Sequence, residues 1–347
     1  MAYTTIDDPE AYFQVQLYTG DGAANHAITL GGDTDMQPDL VWIKSRVVAR
    51  VHCLFDAVRG ATKVIHSNSA VVESTDTDTL DAFQSDGFKV DADDKVNTDA
   101  KNHVAYCWKA GTTSGLSGGD ITPSGYSINT TSKFGIYAYT GTGSEATITH
   151  GLGAVPQVMI IKKRNEEFTG SWPVHHGYLA SNSSLYFNST NGQDTSDLLG
   201  TDPTASVFSV DSEYANKNTF TYVAYLFADV QGFSKFGGYT GNGNADGPFL
   251  YTGFRPAWVI IKRYDAHGES WIIHDNKRSG YNGDNDYLYA NTDGIDVTSA
   301  NLIDILSNGF KARSTNGVVN ASGATYVYMA WAEAPFVNSN GVPCNAR

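Results

Sequence analysis

The sequence predicts an all-β protein organised as three tandem antiparallel β-sandwich or jelly-roll repeats, and three observations carry that reading. Glycine is abundant at 35 residues, with 20 Tyr, 16 Phe and 6 Trp against only 17% charged residues. Clusters of Gly, Asn, Asp, Ser and Thr separate short runs rich in Val, Ile, Tyr and Phe, the pattern of strands joined by tight turns. A set of landmarks then recurs three times at nearly constant spacing, and such periodicity has to be read before any single element.

The first copy spans residues 1–110, the second 134–232 and the third 233–336, with a C-terminal tail over 337–347. Each opens on an aromatic strand ending in a Tyr-Thr-Gly turn, at Tyr18 to Gly20, Tyr139 to Gly141 and Tyr239 to Gly241. A proline-initiated apolar strand ending in lysine follows, from Pro38 to Lys44, Pro156 to Lys162 and Pro256 to Lys262. The first copy carries a short insertion before it, around Gly31 and Gly32. Next come the matched strands His52 to Asp56, Ser171 to His176 and Ser270 to Asp275, then strands ending in Asn68, Asn188 and Asn291. Phe88, Phe208 and Phe310 mark a further strand, and each copy closes on an aromatic strand reaching Trp108, Phe227 or Trp331. About a hundred residues with six to eight short strands is the size and rhythm of a sandwich. The spacing of apolar residues from Asn301 to Leu306 also admits one helical turn per copy. Residues 111–133, rich in Gly, Ser and Thr, read as a linker or an exposed connection. The second and third copies meet almost directly at Gly232 to Lys235, which predicts that they pack more rigidly together than either does with the first.

A formal net charge of −14, spread along the chain, predicts a surface that repels nucleic acid and anionic membranes. Cys53, Cys107 and Cys344 form no close-spaced pair, so neither a disulfide framework nor a zinc site is expected. The first twenty residues lack the basic start and apolar stretch of a secretory signal, and no segment approaches eighteen consecutive apolar residues. The expectation is a soluble chain not exported through an ordinary leader and not inserted in a membrane.

Together these landmarks, with Ser307 to Phe310, Asn320 to Gly323 and the closing Met329 to Phe336, resemble the repeated module of tail-fibre-like and other virion structural proteins of bacteriophages. The resemblance covers nearly the whole chain. It implies a lectin-like, concanavalin-type β-sandwich, no catalytic residues, no cofactor and a place on the virion tail or capsid surface after assembly in the host cytoplasm. It transfers no functional site to particular positions.

Catalysis or metal binding needs particular groups converging on one cleft. His175 and His176 adjoin Trp172, but neighbours on a strand point to opposite faces and cannot share one metal. Asp56 with Arg59 recurs as Asp275 with Arg278, whereas the second copy has His176 and Leu179, which reads as a turn-stabilising ion pair of modest worth. The carboxylates Asp93, Asp94, Asp197, Asp202, Asp284 and Asp286 lie among turn residues, where facing water is their ordinary role. The loop from Asn282 to Asp286 offers oxygen ligands but no complete calcium loop, and no metal is expected. Trp42, Trp108, Trp258 and Trp331 lie in strands and belong to the core.

Tyr178, Tyr214 and Tyr281 leave the strand pattern and sit in polar loops, so they are the candidate binding residues. An exposed tyrosine flanked by Asn and Asp supplies apolar contact with directional hydrogen bonds beside it, suited to a sugar or a protein surface. The expected function is therefore a virion structural protein of tail-fibre or spike type. It would work without catalysis, in host-surface glycan adhesion or assembly with other virion proteins, as a homo-oligomer such as a trimer. A capsid decoration or head-fibre protein, a non-viral carbohydrate-binding module and a glycan depolymerase are the alternatives.

Overall fold

A computed structural model describes residues 3–165, 171–196, 199–278, 282–283, 285–298 and 300–344. The chain is nearly all β, and among the described residues every strand pairing is antiparallel. In the first copy the larger sheet runs in the order Phe13–Thr19, Asn102–Trp108, Leu40–Ser45, Cys53–Asp56. The second copy repeats that order with Phe134–Thr140, Thr221–Phe227, Val158–Lys163 and Pro173–His176, and the third with Ser234–Thr240, Thr325–Pro335, Phe254–Arg263 and Ile272–Asp275. In each copy the first strand pairs with the last, so the unit closes on itself before the chain moves on.

A smaller sheet accompanies each larger one. His26–Thr29, Gly87–Val90 and Leu80–Gln84 form it in the first copy. Ala146–Thr149 with Val207–Val210 form it in the second, and Phe249–Tyr251, Gly309–Ala312 and Ile303–Leu306 in the third. Alternation along the proline-initiated strand sends its side chains two ways. Val41 and Ile43 pack with Phe88 between the two sheets of the first copy, as Met159 and Ile161 pack with Phe208 in the second. Leu40, Trp42, Val158 and Ile160 turn the other way, into a cluster shared with the third copy's Trp258 and Trp331. Strands buried on both faces read as uninterrupted apolar runs, which is why these segments carry no polar alternation.

The shared cluster is strongly aromatic. Trp258 lies 5.8 Å from Trp108 and 5.2 Å from Trp331 between ring centroids, and Phe227 lies 5.1 Å from Trp331. Edge-on and tilted contacts of this kind add to the area the rings bury. All three copies thus meet in one core, so the first is joined to the others as the second and third are to each other, contrary to the unequal packing the sequence suggested.

Two further expectations are corrected. Residues 111–133 are more than a linker: Gly125–Asn129 is a strand paired with Phe134–Thr140, and Ile121 and Ile128 are buried in the second copy's core. Asp39 of the first copy accepts hydrogen bonds from Ala110 N at 2.8 Å and from the Ser127 hydroxyl at 3.1 Å, fastening this strand from behind. The stretch from Asn301 to Leu306 contains the strand Ile303–Leu306 rather than a helical turn, because Ile303 and Ile305 point together into the core. Short helical turns occur instead just after the phenylalanine strands of the first two copies, at Asp94–Asn97 and Ser212–Ala215.

Candidate functional site

Networks of buried polar side chains lie where one copy meets the next. The seams run from the first copy to the second, the second to the third and the third back to the first. Asp56 and Arg59, read from sequence as a turn-stabilising ion pair of modest worth, are fully buried and 2.5 Å apart. Tyr225 of the second copy donates its hydroxyl to Asp56 at 2.7 Å. Arg59 also reaches Glu73 at 3.1 Å, and Glu73 is gripped by Arg164 of the second copy at 2.8 Å. The third copy meets the first in the same way. Asp275 and Arg278 are buried 2.6 Å apart, Tyr106 donates to Asp275 at 3.1 Å, and Arg278 reaches Asp296, which holds Arg46 at 2.7 Å.

Residue by residue, the seam between the second and third copies is the neutral version of this network. His176 and Leu179 replace the Asp/Arg pair, Gln193 replaces the bridging acid, Tyr264 the arginine across the seam and Met329 the tyrosine. The backbone link persists in all three: Glu73 N donates to Arg164 O, Gln193 N to Tyr264 O and Asp296 N to Arg46 O, at 2.7–2.9 Å. His176 donates from Nε2 to Tyr328 O at 3.1 Å and accepts the N–H of Tyr178 on Nδ1 at 3.2 Å. Both ring nitrogens are committed, so the imidazole is neutral, and burial lowers its pKa to about 4. An ion pair cannot lose one member without stranding the other, so the paired acids and arginines of such a network are expected to be replaced together.

The repeated lysines belong to the same seams. Lys44, Lys162 and Lys262 are fully buried. Lys162 donates to Ala70 O of the first copy at 2.9 Å, and Lys262 to Thr190 O of the second at 3.3 Å and to Glu269 O at 2.8 Å. Burial depresses them to about 8, 7 and 8, and Asp296 across the seam opposes that for Lys44. Ring donors make matching links: His52 Nε2 to Tyr289 O, Trp172 Nε1 to Ser69 O and Trp271 Nε1 to Tyr186 O, all at 3.0 Å.

Within each copy, asparagines do the local work. Asn68, Asn188 and Asn291 accept the backbone N–H of His52, Trp172 and Trp271. Asn97, Asn216 and Asn320 are fully buried and accept the N–H that follows each Tyr-Thr-Gly turn, from Asp21, Thr142 and Asn242. The turn glycine is obligatory, since a Cβ on Gly141 would lie 2.3 Å from Lys217 O.

Of the three tyrosines expected to bind, the structure describes Tyr178 and Tyr214. Tyr178 is 50% exposed, but its ring lies against Gly238 of the third copy and covers the neutral seam. Tyr214 is half-buried and packs 6.2 Å from Tyr186 rather than standing free in a loop. Tyr281 lies outside the described residues, as do Asp197 and Asp284. The remaining carboxylates are occupied separately. Asp93 caps the turn at Asp94–Asn97, Asp94 pairs with Arg50, Asp202 accepts from Ser181, and Asp286 is 3.5 Å from Arg46. Among the described residues no three His, Cys, Asp or Glu side chains converge as metal ligands, and no helix is long and apolar enough to cross a membrane. The seam residues were missed because each was judged inside its own copy. Reading offsets from the Lys and Asn landmarks finds them: Arg46, Arg164 and Tyr264 stand at Lys+2, and Glu73, Gln193 and Asp296 at Asn+5.

Compared with known proteins, residues 8–335 match one family model, described as a domain of unknown function, DUF7483. No curated protein and no solved structure matches.

Proposed function

The chain belongs to the DUF7483 family, and from that premise we propose that it is a non-catalytic virion structural protein of a bacteriophage, of tail-fibre or spike type. In this reading three tandem β-sandwich modules form one rigid body that adheres to host-surface glycans and assembles with other virion subunits. The observation that carries the proposal is the closed circuit of seams. A body whose modules are locked pairwise by buried polar networks around one aromatic core holds its surface loops in fixed positions. It is ill suited to opening and closing around a reacting substrate. The family match runs through all three copies as one unit, which agrees with a body that works only when complete. The acidic, turn-rich surface suits a protein kept soluble at high local copy number, and the resemblance of its landmarks to phage virion modules supplies the setting.

The test is the solution mass of the purified chain by light scattering, followed by a glycan array on the same preparation. A defined homo-oligomer that binds a restricted set of glycans supports the proposal. A monomer that binds none removes the adhesin.

A further inference from the structure

We infer that the cleft of about 320 Å³ bounded by Tyr3, Asp229, Gln231, Lys235, Tyr251 and Gly253 is a binding site for a neutral saccharide. This deepens the adhesion reading proposed above and rests on it.

The third copy departs from the repeat on the outer face of its small sheet. In every copy the outer strand of the small sheet pairs with the phenylalanine strand, placing Ile28, Ile148 and Leu250 opposite Phe88, Phe208 and Phe310. The residues on either side of that apolar position face outward. They are Ala27 and Thr29 in the first copy and Thr147 and Thr149 in the second, but Phe249 and Tyr251 in the third. Phe249 is 45% exposed and Tyr251 53% exposed. The scaffold requires no aromatic here, since two copies fold with small residues. Phe249 and Tyr251 lie two positions apart on one strand, so both rings stand on one face and form an exposed apolar patch that the other two copies lack, a feature suited to binding.

The rest of the cleft supplies polar groups at fixed positions. Tyr3 places its hydroxyl 2.8 Å from that of Tyr251 and donates to Gly253 O at 2.9 Å. Gly253 has φ +85°, and a Cβ there would stand 2.8 Å from the Tyr3 oxygen, so glycine is what lets the two phenols meet. Asp229 accepts Phe236 N at 2.8 Å on one oxygen and pairs with Lys235 through the other. An exposed ring face beside a carboxylate, an ammonium and phenolic hydroxyls matches a sugar, which has an apolar C–H face and a rim of hydroxyls that both donate and accept. The one acid and one base of the cleft cancel, and the whole chain is strongly negative, which selects a neutral saccharide over an acidic one.

The full chain, Tyr251→Ala and Asp229→Asn are compared on an array of neutral and sialylated glycans, with titration calorimetry on the hits and melting curves to establish that each variant is folded. The expected result is binding confined to neutral glycans, with affinity falling about tenfold or more in both variants. Glycan binding by the wild type that both folded variants retain overturns the cleft assignment and leaves adhesion standing. Binding only to sialylated glycans also overturns it. No glycan binding by the wild type defeats both the site and the adhesion reading.

Discussion

Replacing Arg59 with leucine tests the seam between the first and second copies. Its guanidinium is wholly buried and reaches Asp56 at 2.5 Å, Glu73 at 3.1 Å, and the carbonyls of Leu54 and Lys63 at 3.0 and 3.1 Å. Without it Glu73 keeps Arg164, but Asp56 retains only neutral donors, its own turn's N–H and Tyr225. Stranding one member of a buried pair costs about 3–5 kcal/mol, against a total stability of about 5–15 kcal/mol for a typical protein. Transplanting the whole neutral seam, as Asp56→His, Arg59→Leu, Glu73→Gln, Arg164→Tyr and Tyr225→Met together, strands no charge. That variant is expected within about 2 kcal/mol of the wild type, because well-packed neutral groups substitute for buried ion pairs at little net cost. Urea unfolding followed by tryptophan fluorescence measures both. A cost under about 1 kcal/mol for Arg59→Leu, or a five-residue variant no more stable than the single one, would refute the idea that these charges hold the seam as a unit.

Further expectations follow from individual residues. The folded-state pKa of His176 lies below the unfolded value of about 6.5, so the stability it contributes is complete above that pH and drains away as pH falls toward about 4. His176→Gln does not titrate and should lose less melting temperature than the wild type between pH 7 and pH 4.5; equal losses would show that this histidine is not a source of acid sensitivity. Asn216→Ala leaves the Thr142 N–H and the Ser144 carbonyl without their buried partner and should cost about 1–3 kcal/mol in urea unfolding, whereas a cost near zero would mean water replaces the amide. Gly141→Ala drives a Cβ against Lys217 O and is expected to lower the melting temperature, with an unchanged melt counting against the tight turn. Trp258→Ala opens the centre of the shared core and should cost about 3–5 kcal/mol, with one unfolding transition throughout. Separate transitions would show that the copies unfold independently.

The sequence by itself determined the β content, the threefold repetition and the inward strands. Those signals are local: a period of two, a turn chemistry and a fixed spacing between landmarks suffice to read them. It also marked the positions of Lys44, Asn68 and Asp56 and their counterparts without revealing why they recur. Only the tertiary structure decided that the outer faces of the large sheets turn toward one another, making Trp42, Trp108, Trp258 and Trp331 parts of one core. The same folding brings Tyr225 onto Asp56 across 169 positions and Tyr106 onto Asp275 across another 169. An ion pair looks superficial when its nearest neighbours in sequence are turn residues. Burial depends on what arrives from elsewhere in the chain, and the apolar face that dictates the arrival can be satisfied by many partners until all three copies close on each other.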